Sequence, residues 1–236
     1  MDASADGGSR DAAGAPTGSG AGGAGSTGAG GSGETGGSAG AGGSAGAGGT
    51  EPRDGGAPDI AITDAGRVCA PGMCKRLFTS ARVPVPSGKL GGALAMDTFC
   101  QTSADAEGLG GEWKAWISDT KTSPAARFTH ATVPYRLLSG VTVANDWIGL
   151  TSGTLLHAID VFEDGTSPEA GVVLEVWTAT TVAGLYSGNS CANWTNDTGN
   201  PPNADIGVTN QTGMGWTQVY LQFCNRTTHR IYCFEQ

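Results

Sequence analysis

Gly91-Gly92-Ala93-Leu94-Ala95-Met96-Asp97-Thr98-Phe99-Cys100-Gln101 is the stretch on which the fold turns. Leu94, Phe99, Cys100 and Ala104 recur at approximately helical spacing, which predicts an amphipathic helix carrying a cysteine on its apolar face. Gly108 is placed to end it, because glycine adopts the left-handed conformation that closes helices. Glu112 to Ser118 then alternates as Glu-Trp-Lys-Ala-Trp-Ile-Ser and reads as a strand with aromatics on both faces. Upstream, Lys75 to Ser80 reads as a first strand, and Val83-Pro84-Val85-Pro86 excludes both helix and central strand.

Downstream, Phe128, Val133, Tyr135, Leu137 and Leu138 suggest short extended pieces broken at Pro134 and Gly140. Trp147 to Leu150 and Leu155 to Ile159 continue in the same style. Val172 to Thr178 is β-branched and apolar, and reads as a central strand. Gly184 to Gly215 is rich in Asn, Thr, Gly and Pro and reads as a long loop region held at Cys191. Trp216 to Phe223 is β-rich, and Arg230-Ile231-Tyr232-Cys233-Phe234 makes a closing strand. One or two helices among several short strands and long loops give an α+β fold.

The N-terminal part reads differently. The chain has 236 residues and 41 glycines, and 22 of those glycines fall in the first 56 positions. That segment holds no aromatic residue and no Val, Ile or Leu, so it lacks the apolar surface needed to offset the entropy of ordering. The expected organisation is a disordered Gly/Ala/Ser-rich linker over residues 1–66 and one folded domain over 67–236. The linker reads as a spacer holding the domain off a surface. No signal-peptide pattern and no lipidation cysteine precede Cys69, so a leader or anchor is expected upstream of Met1. No apolar run suffices for a transmembrane helix. A net charge of −9 argues against nucleic acid or anionic membrane as the partner.

Six cysteines, Cys69, Cys74, Cys100, Cys191, Cys224 and Cys233, are an even count suited to disulfides, although six allow fifteen pairings. Cys69-Ala-Pro-Gly-Met-Cys74 suits a small disulfide-closed loop around its Pro-Gly turn. Zinc spacing is absent, and His130, His157 and His229 stand apart in sequence. Disulfides imply an oxidising compartment.

The ordered series of motifs resembles a known family. Gly91-Gly92 through Cys100, Gly108-Leu109-Gly110-Gly111 and Trp113 to Ser118 are similar to the start of the collagen endostatin domain. Trp147 to Gly153 is similar to its middle. Val176-Trp177, Cys191-Ala192-Asn193-Trp194 and Cys224 through Glu235 are similar to its end. The closest resemblance is to the bacterial endostatin-like family found on spirochaete and myxobacterial surface lipoproteins, and it covers about residues 75 to 236. It implies a C-type-lectin-like fold with long disulfide-braced loops. It also implies nested bridges, Cys100 with Cys233 and Cys191 with Cys224, leaving Cys69 and Cys74 to each other. By order along the chain, Trp113 to Ser118 occupies the place of the lectin Trp-Ile-Gly-Leu strand, so the match at Trp147 to Leu150 is coincidental in role.

No G-x-S-x-G elbow, H-E-x-x-H or P-loop appears, so no enzyme activity and no cofactor is expected. The histidines that hold endostatin's zinc have no counterpart before His130, and no metal site is expected. Asn193-Trp194-Thr195-Asn196-Asp197 resembles the lectin Trp-Asn-Asp calcium motif, but Thr195 interrupts it. Asp160, Glu163 and Asp164 read as a solvated acidic loop. Arg226, His229 and Arg230 form a local basic spot, read as a solvated turn. Trp194 and Trp216 read first as core residues covering a small sheet, or else as stacking platforms. With Asn193 and Asp197 they are the candidate ligand-binding residues. The expected function is a non-catalytic extracellular or outer-membrane-surface binding module, adhering to matrix or other surface proteins. The alternatives are a carbohydrate-binding lectin and a structural cap. Expected partners are a protein or glycan ligand at a surface, with no nucleic acid, no membrane span and a monomeric chain.

Overall fold

Helix α1 spans Ala93–Ala106, in a computed structural model that describes residues 69–70, 72–81, 89–199, 201 and 203–236. The expected linker over residues 1–66 and the reading of Val83 to Pro86 lie outside the described residues. The buried face of α1 is Ala93, Met96, Cys100, Ser103 and Ala104, in steps of three and four. Leu94, assigned to that face above, is 67% exposed. Its neighbour Ala93 takes the inward position, and one residue further turns the side chain through about 100°. The chain leaves the helix through Gly108, at φ 64. At the other end Gly92 has no side chain to cap the first turn. The carboxylate of Asp119 does so from a distance, accepting the Ala93 N–H at 3.0 Å.

Two sheets carry the rest. The larger contains β1 (Lys75–Thr79), β2 (Trp113–Ala115), β3 (Tyr135–Leu137), β4 (Thr142–Ala144) and β8 (Tyr232–Glu235), in the order β2-β8-β1-β3-β4. β8 runs antiparallel to both β1 and β2, pairing Phe234 with Leu77 and with Lys114. β1 and β3 run parallel. The smaller sheet contains β5 (Glu175–Trp177), β6 (Asn203–Val208) and β7 (Tyr220–Phe223), in that order and antiparallel. The domain is therefore α+β.

Several elements differ from the sequence reading. Trp147–Leu150 is a helical turn, α3, whose N-terminus is capped by Asp146 accepting the Gly149 N–H at 2.7 Å. Pro124–Arg127 forms another single turn, α2, started by its proline. The apolar run from Val172 is strand only over Glu175–Trp177, and it lies at the edge of its sheet. Val172 and Val173 are exposed. The expected loop between Gly184 and Gly215 contains β6, the middle strand of the smaller sheet. Asn, Asp and Gly within β6 hide its strand character. Gly207 is there because a Cβ would lie 1.9 Å from the Trp216 carbonyl oxygen. Trp216 itself closes a 3-10 turn, Met214–Trp216, and the following strand starts only at Tyr220.

Trp116 sits at the centre of the core, with ring centroids 4.8 Å from Trp216, 5.5 Å from Phe234 and 5.8 Å from Phe128. Buried hydroxyls join the two sheets beside it. Ser118 and Thr180 hydroxyls meet at 2.8 Å, Thr217 donates to the Thr180 carbonyl at 2.9 Å, and Trp116 Nε1–H donates to Thr217 Oγ1 at 2.7 Å. Disulfides join Cys100 to Cys233, Cys191 to Cys224 and Cys69 to Cys74. Three such bridges suggest an oxidising, extracellular environment. The first closes a separation of 133 residues. In the chain-entropy account a loop of that size contributes roughly 4–5 kcal/mol. Among the described residues no helix is long and apolar enough to cross a membrane.

One half-hidden ion pair binds α1 to β2 and α2. Asp97 accepts from the Ala115 N–H at 2.8 Å and from Arg127 Nε at 3.1 Å, while Arg127 also donates to the Ile117 carbonyl at 2.9 Å. Both side chains are largely withdrawn from water, at 8% exposure for Arg127 and 15% for Asp97. Asp97→Ala leaves a guanidinium without its counter-charge and is expected to cost about 3 kcal/mol in denaturant unfolding. A loss of only about 0–1 kcal/mol, that of a solvated pair, would show that water reaches Arg127.

Candidate functional site

The segment that leads into Cys191 contains Ser187-Gly188-Asn189-Ser190, and these small polar residues pack back onto β6. Asn189 Nδ2 and the Ser187 hydroxyl both donate to Asp205 Oδ2, at 3.0 Å and 2.6 Å. Ser190 and Ala204 form an isolated antiparallel bridge. The chain then makes one helical turn over Cys191–Trp194 with every residue left-handed, at φ 51, 55, 59 and 62. The turn closes through Trp194 N–H to the Ser190 carbonyl at 2.6 Å and Thr195 N–H to the Cys191 carbonyl at 3.2 Å. None of the four is glycine, and the left-handed conformation costs an L-residue roughly 1–2 kcal/mol. Local contacts hold it. Cys191 is bridged to Cys224, Ser190 Oγ accepts the Asn193 N–H at 3.2 Å, and Trp194 Nε1–H donates to the Ser118 carbonyl at 2.8 Å.

Beside this turn lies a cleft of about 370 Å³, bounded by Thr120, Tyr186, Asn189, Ser190, Asn193 and Asn203, with Leu221 and Pro201 supplying apolar surface. Its lining carries amides and hydroxyls and no charged side chain. Asn193 Oδ1 accepts the Thr120 N–H at 2.9 Å. The Tyr186 and Ser190 hydroxyls lie 3.0 Å apart. Asn203 Oδ1 is closed off from water and has no hydrogen-bond partner.

Of the four candidate ligand-binding residues, only Asn193 borders this cleft. Trp194 and Trp216 are both fully buried, so neither presents a ring face to solvent. Trp194 packs edge-on against Trp177, with centroids 5.6 Å apart. Asp197 pairs with Lys89 at 3.0 Å on the surface, away from the cleft lining. Tyr186, Ser190 and Asn203 were missed in the sequence. The signal available was a run of small uncharged polar residues before a bridged cysteine, but the folding of β6 against that run was not legible.

The acidic loop is also arranged differently. Glu163 is buried and accepts the Ala81 N–H, while Asp164 stays exposed and caps Thr166. The Thr166 hydroxyl and N–H both donate to Asp164 Oδ1 and hold its carboxyl below the usual range. Among the described residues no three His, Cys, Asp or Glu side chains come together as a metal would require.

The basic spot is not a solvated turn around His229. His229 is fully buried, stacked on Trp177 at 4.1 Å, with Nε2 3.2 Å from Glu175 Oε2. Glu175 Oε1 accepts from the Tyr220 hydroxyl and from Gln222 Nε2, the latter at 3.1 Å. Glu175 and Tyr220 of this group line a second cleft of about 270 Å³, which also takes in Val208 of the intervening β6. Burial pushes the His229 pKa down to about 4, against the opposing attraction of Glu175, with Arg226 lowering it further.

No protein-family model matches the chain, and no curated protein matches it significantly.

Two measurements test these geometries. His229 is neutral in the fold and takes a proton more readily when unfolded. Its contribution is therefore complete above about pH 6.5 and is lost as pH falls towards about 4. His229→Phe, which keeps a ring over Trp177, is expected to flatten the stability profile across that window. An unchanged profile would mean that His229 titrates normally. Ala192 is exposed, so Ala192→Gly removes little packing while relieving a left-handed Cβ. The expected result is a gain of up to about 1 kcal/mol in urea unfolding, set against the greater unfolded entropy of glycine. A net loss of more than about 1 kcal/mol, beyond what the unfolded-state entropy of glycine accounts for, would show that the turn is not left-handed in solution.

Proposed function

We propose that this chain is a non-catalytic extracellular binding module, an endostatin-like domain of the C-type-lectin-like fold. Its Gly/Ala/Ser-rich N-terminal segment would hold it away from a cell surface. The nested bridges Cys100–Cys233 around Cys191–Cys224 support the family reading, since that arrangement is what the resemblance implies. The observation that carries the binding reading is the cleft beside the Cys191–Trp194 turn. Residues held in costly backbone conformations cluster where recognition or chemistry takes place. Here amides and hydroxyls line the neighbouring cleft, groups that recognise by hydrogen bonding. Loops fixed on a rigid scaffold suit that task.

The test is direct binding of the full chain to purified extracellular-matrix and cell-surface glycoproteins. Leu221 is 48% exposed at the cleft, so Leu221→Glu places a charge there without opening the core. Saturable binding by the native chain, weakened at least tenfold by Leu221→Glu, is the expected result. Binding of equal strength by both proteins, or none by either, would overturn the assignment of this cleft.

A further inference from the structure

We propose that the cleft beside the Cys191–Trp194 turn takes a neutral polyhydroxyl ligand, a terminal sugar ring of an uncharged glycan, without a metal ion. The inference rests on the binding-module reading and adds the chemistry of the ligand. The cleft's polar groups are amides and hydroxyls, in a chain whose net charge is −9. An acidic sugar or a sulfate would find no cation in that lining. A cationic ligand would find no carboxylate.

The groups that are present fit vicinal hydroxyls. Asn193 spends its carbonyl oxygen on the Thr120 N–H, which fixes the amide plane and leaves Nδ2 with two donors. The hydroxyls of Tyr186 and Ser190 form a pair 3.0 Å apart; the buried Ser190 oxygen is already engaged by the Asn193 N–H, so Tyr186 is the member of the pair that keeps capacity for a ligand. The cleft thus offers amide donors beside a hydroxyl that can donate or accept, the two kinds of partner that sugar hydroxyls take. Leu221, Pro201 and the Tyr186 ring offer apolar surface for the C–H face of such a ring. The volume of about 370 Å³ lies at the small end of ligand clefts, which run from roughly 300 to 1,000 Å³. That suits a terminal ring better than an extended chain.

Pre-organisation completes the case. Asn193 is held at φ 59 by a turn that its own sequence disfavours. The Cys191–Cys224 bridge and the Ser190 hydroxyl both pin that turn at its start. The Nδ2 donors are therefore positioned before any ligand arrives, which lowers the entropy cost of binding.

The experiment uses the full chain on an array of galactose-, mannose- and N-acetylglucosamine-terminated glycans beside sialylated and sulfated ones, with and without EDTA. Two variants accompany it. Asn193→Asp keeps the acceptor for Thr120 and replaces the Nδ2 donors with an oxygen. Tyr186→Phe removes one hydroxyl. Thermal unfolding and the mass of the unreduced protein check that both variants are folded and bridged. The expected result is binding to neutral glycans that EDTA does not change and that Asn193→Asp weakens at least tenfold, with a smaller loss for Tyr186→Phe. Loss of binding in EDTA, preference for charged glycans, binding unaffected by Asn193→Asp, or no glycan bound would each overturn the proposal. The glycoproteins of the binding test, enzymatically deglycosylated, separate the two levels. Undiminished, Leu221→Glu-sensitive binding to them would sink the sugar assignment while the module reading stands. Failure on both intact and deglycosylated proteins would sink both.

Discussion

The backbone of residues 230–235 is the element every other part of the domain depends on. Arg230 N–H donates to the Glu175 carbonyl at 2.8 Å and its carbonyl accepts the Trp177 N–H at 3.0 Å, which ties in the smaller sheet. The Ile231 carbonyl accepts the Ser80 N–H at 2.8 Å, and β8 then pairs with β1 on one side and β2 on the other. Cys233, in the middle of that strand, is bridged to α1. Six residues thus join both sheets and the long helix. Their side chains follow the period of a strand buried on both faces, with Ile231, Tyr232, Cys233 and Phe234 all withdrawn from water. Such long-range closure makes pairing with β1 and β2 depend on the segment farthest along the chain, and folds of this kind are slow to assemble.

The same dependence explains the polar content of the core. Backbone between the two sheets belongs to neither ladder. Ser118, Thr178, Thr180 and Thr217 lie there, all fully buried. The threonine hydroxyls donate to backbone carbonyls, Thr180 to that of Thr178 and Thr217 to that of Thr180, while the Ser118 hydroxyl meets that of Thr180. Replacing Thr217 by an apolar residue would leave the Trp116 Nε1–H without its acceptor, and the cost of such an orphaned group exceeds the net gain from making the bond. Threonine serves in this place because it supplies both a methyl for packing and a hydroxyl for the carbonyl.

Legibility in the sequence followed local chemistry. Helix α1 was readable because Cys100, Ala104 and Gly108 obey a period and a stop signal that belong to the segment itself. β1, β2 and β8 were readable because alternation or apolar density marked them. β6 was not, since Asp205 and Gly207 each answer to something distant: Asp205 takes the donors of Ser187 and Asn189, and Gly207 yields to the Trp216 carbonyl. Trp147–Leu150 looked extended by composition and became helical because Asp146 caps it, a single side chain outweighing β-leaning neighbours. The cleft was half legible. Asn193 stood out beside a tryptophan, but its place in a left-handed turn follows from the Cys191–Cys224 bridge and from β6, neither of which has a local signature.

β7 connects the two polar clusters, and its alternation decides what each can be. Leu221 borders the uncharged cleft, while Tyr220 and Gln222 on the opposite side of the strand bind Glu175. A shift of one residue would exchange these faces, burying the glutamine amide against the cleft and stripping Glu175 of its donors. The hydrogen bonds to Glu175 therefore fix the register that presents Leu221. β7 is an edge strand, with Tyr220, Leu221 and Phe223 all exposed and no lysine or proline within it. Edge strands ordinarily carry charge or proline against unwanted pairing. On this strand the exposed leucine is part of the wall of a cleft. A charge at that position would repel water less, but it would also end the neutrality that distinguishes this cleft from the rest of an acidic chain.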